Sequence, residues 1–557
     1  MYKKLSLKLS TLLITLILLG SLTTTGLASS GGVTARVSVA SDGSQGNNTS
    51  GGPAISADGR YIGFSSASSN LVPGDTSSNF DVFVYDRNTG QTDWISVPES
   101  GSPQALSSSG TPSFSADGRF VAFQSFASNL VAGDTNNSSD VFVRDRFTGQ
   151  TERVSVASDG TQANGNSFPG GSAISADGRY VVFHSLASNL VPGDTNRSYD
   201  VFLRDRQTGQ TQLVSVSTDG IQGNAGGGLA SISANGRVVA FESFSTNLGS
   251  PDTNGQMDVY ARDLQSGETQ LISVASDGTQ ANGEETGLPS ISADGRFVSF
   301  YSTSDNLVNG DTNIGYDIFV HDRLTGETTR VSVASDGSQD NRSSDASSSI
   351  SGDGRFVTFV SWGNLVPEDT NGIADIFVHD RQTGQTQRVS VASDGTQTNA
   401  DSYTPVISSD GSSVAFDSQA SNLVYGDTNN KSDVFVHDLL SPYDFNGFFQ
   451  PVDNSPIVNL ARAGSAIPVK FSLNGDQGLN ILATGYPKSQ MIACDATATV
   501  DGIEETIAAG SSSLSYDASA DTYTYVWKTE PGWANTCRQL VVKFVDGTYH
   551  RASFKFK

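Results

Sequence analysis

Short runs of apolar and β-branched residues recur through most of the chain, four to a copy, separated by turn residues. In one copy they read Pro112-Ser-Phe-Ser115, Phe120-Val-Ala-Phe123, Asp140-Val-Phe-Val-Arg144 and Glu152-Arg-Val-Ser-Val156. Runs this short, and this rich in Val, Ile and Phe, predict strands rather than helices. Ala116-Asp-Gly-Arg119 joins the first strand to the second, and its Asp-Gly supplies the positive φ of a tight hairpin. Asp145-Arg-Phe-Thr-Gly-Gln150 joins the third to the fourth in a similar short turn. The Asp-Gly marker stands at Asp58, Asp117, Asp177, Asp294, Asp353 and Asp410, with Asn235 in its place once, at successive spacings of 59, 60, 58, 59, 59 and 57 residues. Seven copies at one period make a repeat architecture.

Seven four-stranded units in series predict an all-β fold whose main part is a seven-bladed β-propeller. In the third strand Val141 and Val143 face one way and Phe142 the other, as a sheet covered on both sides requires. A β-solenoid is the runner-up, but its coils are shorter and lack two hairpins per repeat. Ala35-Arg-Val-Ser-Val39 precedes the first marker and matches a fourth strand, while the last copy stops after Asp433-Val-Phe-Val-His-Asp438 without one. The N-terminal strand is therefore expected to complete the last blade and close the ring, leaving no open edge. Both hairpins then lie on one face of the disc. The long connections, such as Ser188 to Asn196 within a copy and Ser158 to Asn164 between copies, lie on the other. Varied loops on a rigid scaffold make that long-connection face the candidate functional surface.

Ser-Ala-Asp-Gly-Arg, then Val-Ala-Phe, Asp-Val-Phe-Val-x-Asp and Arg-Val-Ser-Val resemble the TolB-like and WD-type propeller repeats of exported bacterial proteins over residues 33 to 440. This chain carries Ala where those repeats commonly carry Pro before Asp-Gly, and its copies are longer. The resemblance implies a propeller, often a protein-binding one, but not the TolB role itself. After Ser441-Pro442 the repeat ceases. Ala466-Ile-Pro-Val-Lys-Phe-Ser-Leu473, Thr522 to Trp527, Gln539 to Val545 and His550 to Phe556 predict a small C-terminal β-sandwich. Pro468-Val-Lys-Phe471 and its flanks resemble the PxKF domain of bacterial extracellular proteins, which implies an accessory extracellular module.

Lysine plus arginine total 33 against 58 acidic residues, a formal charge of −25, the opposite of what a phosphate-tracking surface needs. No nucleic-acid partner is expected. Lys3, Lys4 and Lys8, the apolar run Leu9 to Leu22 and Gly26-Leu-Ala28 read as a signal peptide over 1–28. With it removed no membrane span is expected, and a secreted, extracellular or periplasmic monomer follows. The division expected is 1–28 signal, 29–440 propeller, and 441–557 sandwich. Cys494 and Cys537, the two cysteines, are expected to form a disulfide in the last unit.

Candidate chemistry centres on Asp-Thr-Asn-x-x-x-Asp, which recurs in near-identical form in every copy. Its residues are Asp75 and Asp81 (with Ser77 for the Asn); Asp134, Asn136 and Asp140; Asp194, Asn196 and Asp200; Asp252, Asn254 and Asp258; Asp311, Asn313 and Asp317; Asp369, Asn371 and Asp375; and Asp427, Asn429 and Asp433. Oxygen ligands at alternate positions suit calcium, the one cofactor considered. The next alternate position keeps no third ligand, which favours turn caps bonded to their own backbone. Asp159, Gln162 and Asn164 of the between-copy loop can bond a glycan or their own loop. Tyr85, Arg144, Arg204, Arg262, His321, His379 and His437 occupy one position of the third strand, and blade spacing keeps those histidines from sharing a metal. No nucleophile elbow is present.

The expectation is an exported, non-enzymatic binding or scaffold protein that recognises a protein or surface glycan through the long-connection face. The alternatives are a secreted polysaccharide lyase or glycosidase and a calcium-stabilised structural cell-surface protein. An enzyme would need a one-off acidic or histidine cluster on one face.

Overall fold

A computed structural model describes residues 32–557 apart from 99–104, 250–251, 314, 340–341, 440–442, 444, 455–456, 477–478, 480, 483–485, 493, 495–499, 503–513 and 545–548. The signal peptide over 1–28 and the 440/441 boundary lie outside the described residues. The described residues are all-β, with one 3-10 turn at Pro531–Trp533.

Between Thr34 and Asp438 the strands form seven four-stranded antiparallel sheets. The first contains Ser50–Ile55, Tyr61–Ser66, Asp81–Asp86 and Gln91–Trp94, in sequence order across the sheet. The seventh contains Ser402–Ile407, Ser413–Ser418 and Asp433–Asp438, and its fourth strand is Thr34–Arg36 from the start of the chain. Thr34 pairs with His437, Ala35 with Val436 and Arg36 with Phe435. Val37, Ile62 and Phe64 share a buried cluster with Val434 and Val436, so the seventh sheet packs on the first.

Every neighbouring pair of sheets is joined in this way. Val84 of the first sheet meets Phe123 and Phe142 of the second, and Val143 of the second meets Phe183 of the third. Within each sheet the aromatic residues of the second and third strands stack, as Phe64 on Phe83 at 5.9 Å and Phe300 on Phe319 at 5.9 Å. Burial on both faces explains the near-continuous apolar run of the third strand, Val82, Phe83 and Val84 all being fully buried.

Two strand boundaries differ from the sequence reading. The fourth strand ends at its Arg, Leu or Trp, as in Thr151–Arg153, and the chain then bends away so that Val156 bridges Gln162. The first strand starts earlier, as Ser109–Phe114, because Ser and Gly there carry no strand signal. It also contains a bulge, with the register slipping between Gly110 and Ser113.

A second set of contacts circles the axis at the hairpin face. The Ala57 N–H donates to Ala116 O at 3.3 Å, Ala116 to Ala176 at 2.9 Å, Ala176 to Ala234 at 2.9 Å and Ala234 to Ala293 at 3.0 Å. Ala293 donates to Gly352 O at 2.9 Å, Gly352 to Ser409 O at 2.8 Å, and Asp410 returns to Ala57 O at 3.2 Å. Proline at these positions has no N–H to give, which accounts physically for Ala before Asp-Gly.

The C-terminal strands form two sheets that share one core built from Phe448, Val469, Phe471, Trp527, Leu540 and Phe554 among others. One sheet is not a simple antiparallel alternation: Val458–Ala461 runs parallel to both Val500–Gly502 and Tyr549–Phe556. Cys494 and Cys537 are disulfide-bonded, with Cα atoms 5.2 Å apart.

The inter-sheet hydrogen bonds give a direct test. Ala176→Pro removes one donor of the ring and orphans a carbonyl, and is expected to cost about 1–3 kcal/mol in chemical denaturation, with Ala176→Ser close to neutral. Equal stability of the two variants would show that the ring contributes nothing.

Candidate functional site

The long-connection face carries two kinds of residue: those repeated in every sheet and those that occur once. The repeated ones are spent inside the protein.

Each carboxylate pair of Asp-Thr-Asn-x-x-x-Asp closes on itself. The second Asp is buried in all seven sheets, and it accepts from the hydroxyl of a serine two residues beyond the fourth strand, as from Ser38 to Asp433 at 2.6 Å, Ser96 to Asp81 at 2.6 Å and Ser215 to Asp200 at 2.7 Å. Ser155, Ser273, Ser332 and Ser390 hold Asp140, Asp258, Asp317 and Asp375 in the same way. In four sheets the Arg that ends the fourth strand lies against both carboxylates. Arg153 is 3.1 Å from Asp134 and 3.6 Å from Asp140, and Arg330 stands at the same distances from Asp311 and Asp317. Arg36 is 3.4 and 3.6 Å from Asp427 and Asp433, and Arg388 is 3.2 and 3.6 Å from Asp369 and Asp375.

Trp94, Leu213 and Leu271 replace that Arg in the other three sheets. In two of them Gln bridges the pair: Gln222 donates to Asp194 and Asp200 at 2.8 and 2.9 Å, and Gln280 to Asp252 and Asp258 at 2.9 and 2.8 Å. The Asn between the carboxylates ties the loop to its neighbour: Asn136 donates to Ala163 O, Asn196 to Gly223 O, Asn254 to Ala281 O, Asn371 to Thr398 O and Asn429 to Gly46 O. Asn313 and Ser77 cap their own turns.

Four of these pairs do not fit calcium, because a guanidinium holds the place of the cation in each. Among the described residues no group of three or more His, Cys, Asp or Glu side chains is arranged for a metal. The Asp eleven residues after the first has a separate task, since Asp145 accepts two bonds from Arg119 at 3.1 and 2.6 Å.

The between-copy motif is likewise satisfied by its own surroundings. The Asn164 backbone N–H donates to Asn189, its side chain donates to Ser188, and Asn189 returns to Gln162 O at 2.9 Å. His321, His379 and His437 each bond a threonine, Thr328, Thr386 and Thr34, at 2.9, 2.8 and 2.8 Å, rather than one another.

The one-off residues are in a different column, the fifth position of the second strand. Around the ring it reads Ser65, Gln124, His184, Glu242, Tyr301, Val360 and Asp417. Each lies at the long-connection end of its strand, just before that strand's last serine. His184 packs on Phe168 at 5.5 Å and Tyr199 at 5.4 Å, and Phe126 lies edge-on to Phe168 at 6.5 Å. Burial pushes the His184 imidazole down to about 4, so it is neutral at pH 7, and its Nδ1 has no hydrogen-bond partner among the described residues. Burial raises the carboxyls of Glu242 and Asp417 above the usual range and pushes the Tyr301 phenol up to about 12.

Glu242 accepts from the Leu288 N–H at 3.0 Å, and Asp417 accepts from Thr404 Oγ1 and the Gly52 N–H. These contacts hold first-strand bulges at Leu288 and Thr404, where φ is 48° and 49°, and Thr111 has a φ of 49° at the equivalent place. Left-handed backbone at a β-branched or bulky residue is strained, and strain of this kind gathers at functional sites. Phe126, Leu186 and Phe244, one residue beyond the strand in three consecutive sheets, are 49, 41 and 49 % exposed and form an apolar arc beside the column. The sequence held this signal in a comparison of second strands; the comparison of third strands, with its histidines, pointed elsewhere.

No protein-family profile matches the chain, and no curated protein does. Solved structures do resemble it. A TolB from Agrobacterium tumefaciens is 14 % identical with a TM-score of 0.32, over 51 % of this chain and 80 % of that one. The periplasmic gluconolactonase of Pseudomonas aeruginosa is 18 % identical with a TM-score of 0.31, over 60 % of this chain and 83 % of that one. A prolyl endopeptidase is 12 % identical with a TM-score of 0.42, over 75 % of this chain and 57 % of that one.

The expectation of a non-enzyme is corrected here. Prolyl endopeptidases, a puromycin hydrolase and a gluconolactonase stand among the similar structures, and the fold is compatible with either role. That expectation also rested on the lack of one-off acidic or histidine residues, and the second-strand column holds three, His184, Glu242 and Asp417, each on a different sheet.

Two predictions follow from the buried carboxyls. Burial pushes Asp81, Asp258, Asp317 and Asp375 up to about 6 from 3.8, so the folded state holds their protons more tightly. Their stabilisation is full below about pH 4 and lost as pH rises through about 6. The Arg60 guanidinium holds Asp86 down at about 2, a contribution present above about pH 4 and lost as pH falls toward about 2. Melting temperature should therefore peak near about pH 4–5; a steady climb from there to neutral pH would contradict the assignment. Chelator should leave the melting curve unchanged at neutral pH, and a marked fall would restore calcium.

Proposed function

We propose that residues 29–440 form a seven-bladed β-propeller closed by its N-terminal strand, exported behind the 1–28 signal, with 441–557 an accessory PxKF-like β-sandwich. The protein acts by binding an extracellular or envelope protein or surface glycan on the long-connection face, around the axial mouth. The observation that carries this reading is the second-strand column. Position five differs in every sheet, while the positions around it repeat. A scaffold needs repetition; recognition needs differences at one level of the ring.

The apolar arc of Phe126, Leu186 and Phe244 beside His184, Glu242 and Tyr301 suits both candidate ligands. Aromatic faces carry a large contact area, and a few placed polar groups fix orientation. A hydrolytic use of the same face draws on the same column, in which Glu242 and Asp417 carry carboxyls raised by burial and His184 a neutral imidazole, each from a different sheet.

A glycan array and a pull-down from envelope extracts, run with wild type and a Phe126→Ala/Phe244→Ala double variant, test the reading. At least a tenfold loss of binding with an unchanged melting temperature is expected. Equal binding by both proteins would place recognition elsewhere, and a polysaccharide panel with Glu242→Gln reads out any hydrolysis.

A further inference from the structure

Beneath that face lies an axial cavity of about 490 Å³, lined by the first strands of all seven sheets. Its volume is in the range of roughly 300–1,000 Å³ typical of small-molecule sites. Its chemistry is unlike that of the rest of the molecule. The chain has a formal charge of −25, yet no Asp, Glu, Lys, Arg, His, Asn or Gln lines the cavity among the described residues. Pro112, Phe114, Leu229, Leu288, Ile350 and Val406 are representative of its wall.

Several of the serine hydroxyls that line it are already engaged. Ser113 accepts from the Ala173 N–H at 3.0 Å, Ser290 from Ile350 at 3.3 Å and Ser349 from Ile407 at 3.3 Å, each bond crossing to the next sheet. Proline at Pro53, Pro169, Pro289 and Pro405 removes further N–H groups from the wall. At the hairpin end the wall consists of the five alanines, Gly352 and Ser409 of the hydrogen-bonded ring, which cannot spread without breaking those bonds. The other end passes between the strained bulges to the long-connection face.

We infer that the axial cavity is a binding site for an uncharged, predominantly apolar small molecule that enters from the long-connection face. A charged group there would lose its hydration and find no partner, at a cost that excludes it. An apolar ligand loses nothing comparable and leaves water. This site is separate from the rim of one-off residues, so it stands or falls independently of the macromolecular binding proposed above.

The test uses two dyes of similar shape and different charge, neutral phenylnaphthylamine and anionic anilinonaphthalene sulfonate, with the full chain. The neutral dye should bind saturably at one per chain, and the sulfonate at least tenfold more weakly. Gly171 lines the cavity, has no positive φ, and a Cβ placed there meets no atom within 4 Å. Gly171→Trp therefore fills the cavity from an unstrained position and should abolish neutral-dye binding, while Gly171→Ala keeps it. Ser172→Trp, at the adjacent exposed lining position, is the second blocking variant, with the melting temperature followed in each. Equal binding of the two dyes by wild type, or undiminished neutral-dye binding by a folded Trp variant, would overturn the site. Binding lost in Phe126→Ala/Phe244→Ala but kept in Gly171→Trp would also overturn it, by placing the dye on the rim.

Discussion

A sheet covered on both faces has no end at which to stop. Val84 of the first sheet packs into the second, while Phe64 and Ile62 pack into the seventh, so each sheet depends on two neighbours for its burial. Removing one would expose two apolar faces at once. The fold therefore has to close, and it closes at three radii. Side chains interlock between sheets, the backbone N–H groups of the Ala-Asp-Gly turns circle the axis, and Thr34–Arg36 supplies the missing outer strand.

The same constraint explains why so much polar chemistry on the long-connection face is unavailable to a ligand. Buried strand ends need partners for every carboxylate and amide they carry. The recurring Asp, Asn, Gln, Ser and Arg residues supply those partners to one another. Arg153 lies against Asp134 and Asp140 where an ion might have been expected, and the histidines of the third strand hold threonines. Repetition marks structural bonding here, and departures from repetition mark the residues left for other uses.

The strand order, the two hairpins, the closing strand and the disulfide were legible because each has a local signal: Asp-Gly turns, apolar alternation, an orphan Arg-Val-Ser-Val and one cysteine pair. The first-strand bulge was not legible. Gly110 and Ser109 have poor strand propensity, and a slipped register shows only where two strands meet. The parallel pairing of Val458–Ala461 was missed for the same reason, because direction depends on contacts distant in sequence. The candidate site was half legible. The face could be read from connection lengths, but Gln124, His184, Glu242 and Asp417 each look like an ordinary, half-buried strand residue when read alone.

The closing pair also sets an order in time. Thr34 bonds His437 across 403 positions of sequence, so the earliest strand of the ring to be made waits for the latest before it can be seated. Until then the first and seventh sheets each present an uncovered apolar face. Contacts this distant slow folding, because the whole intervening chain must be organised before they form. Maturation of this protein should accordingly end in a single late step, in which a half-open array with two sticky ends becomes a disc with none.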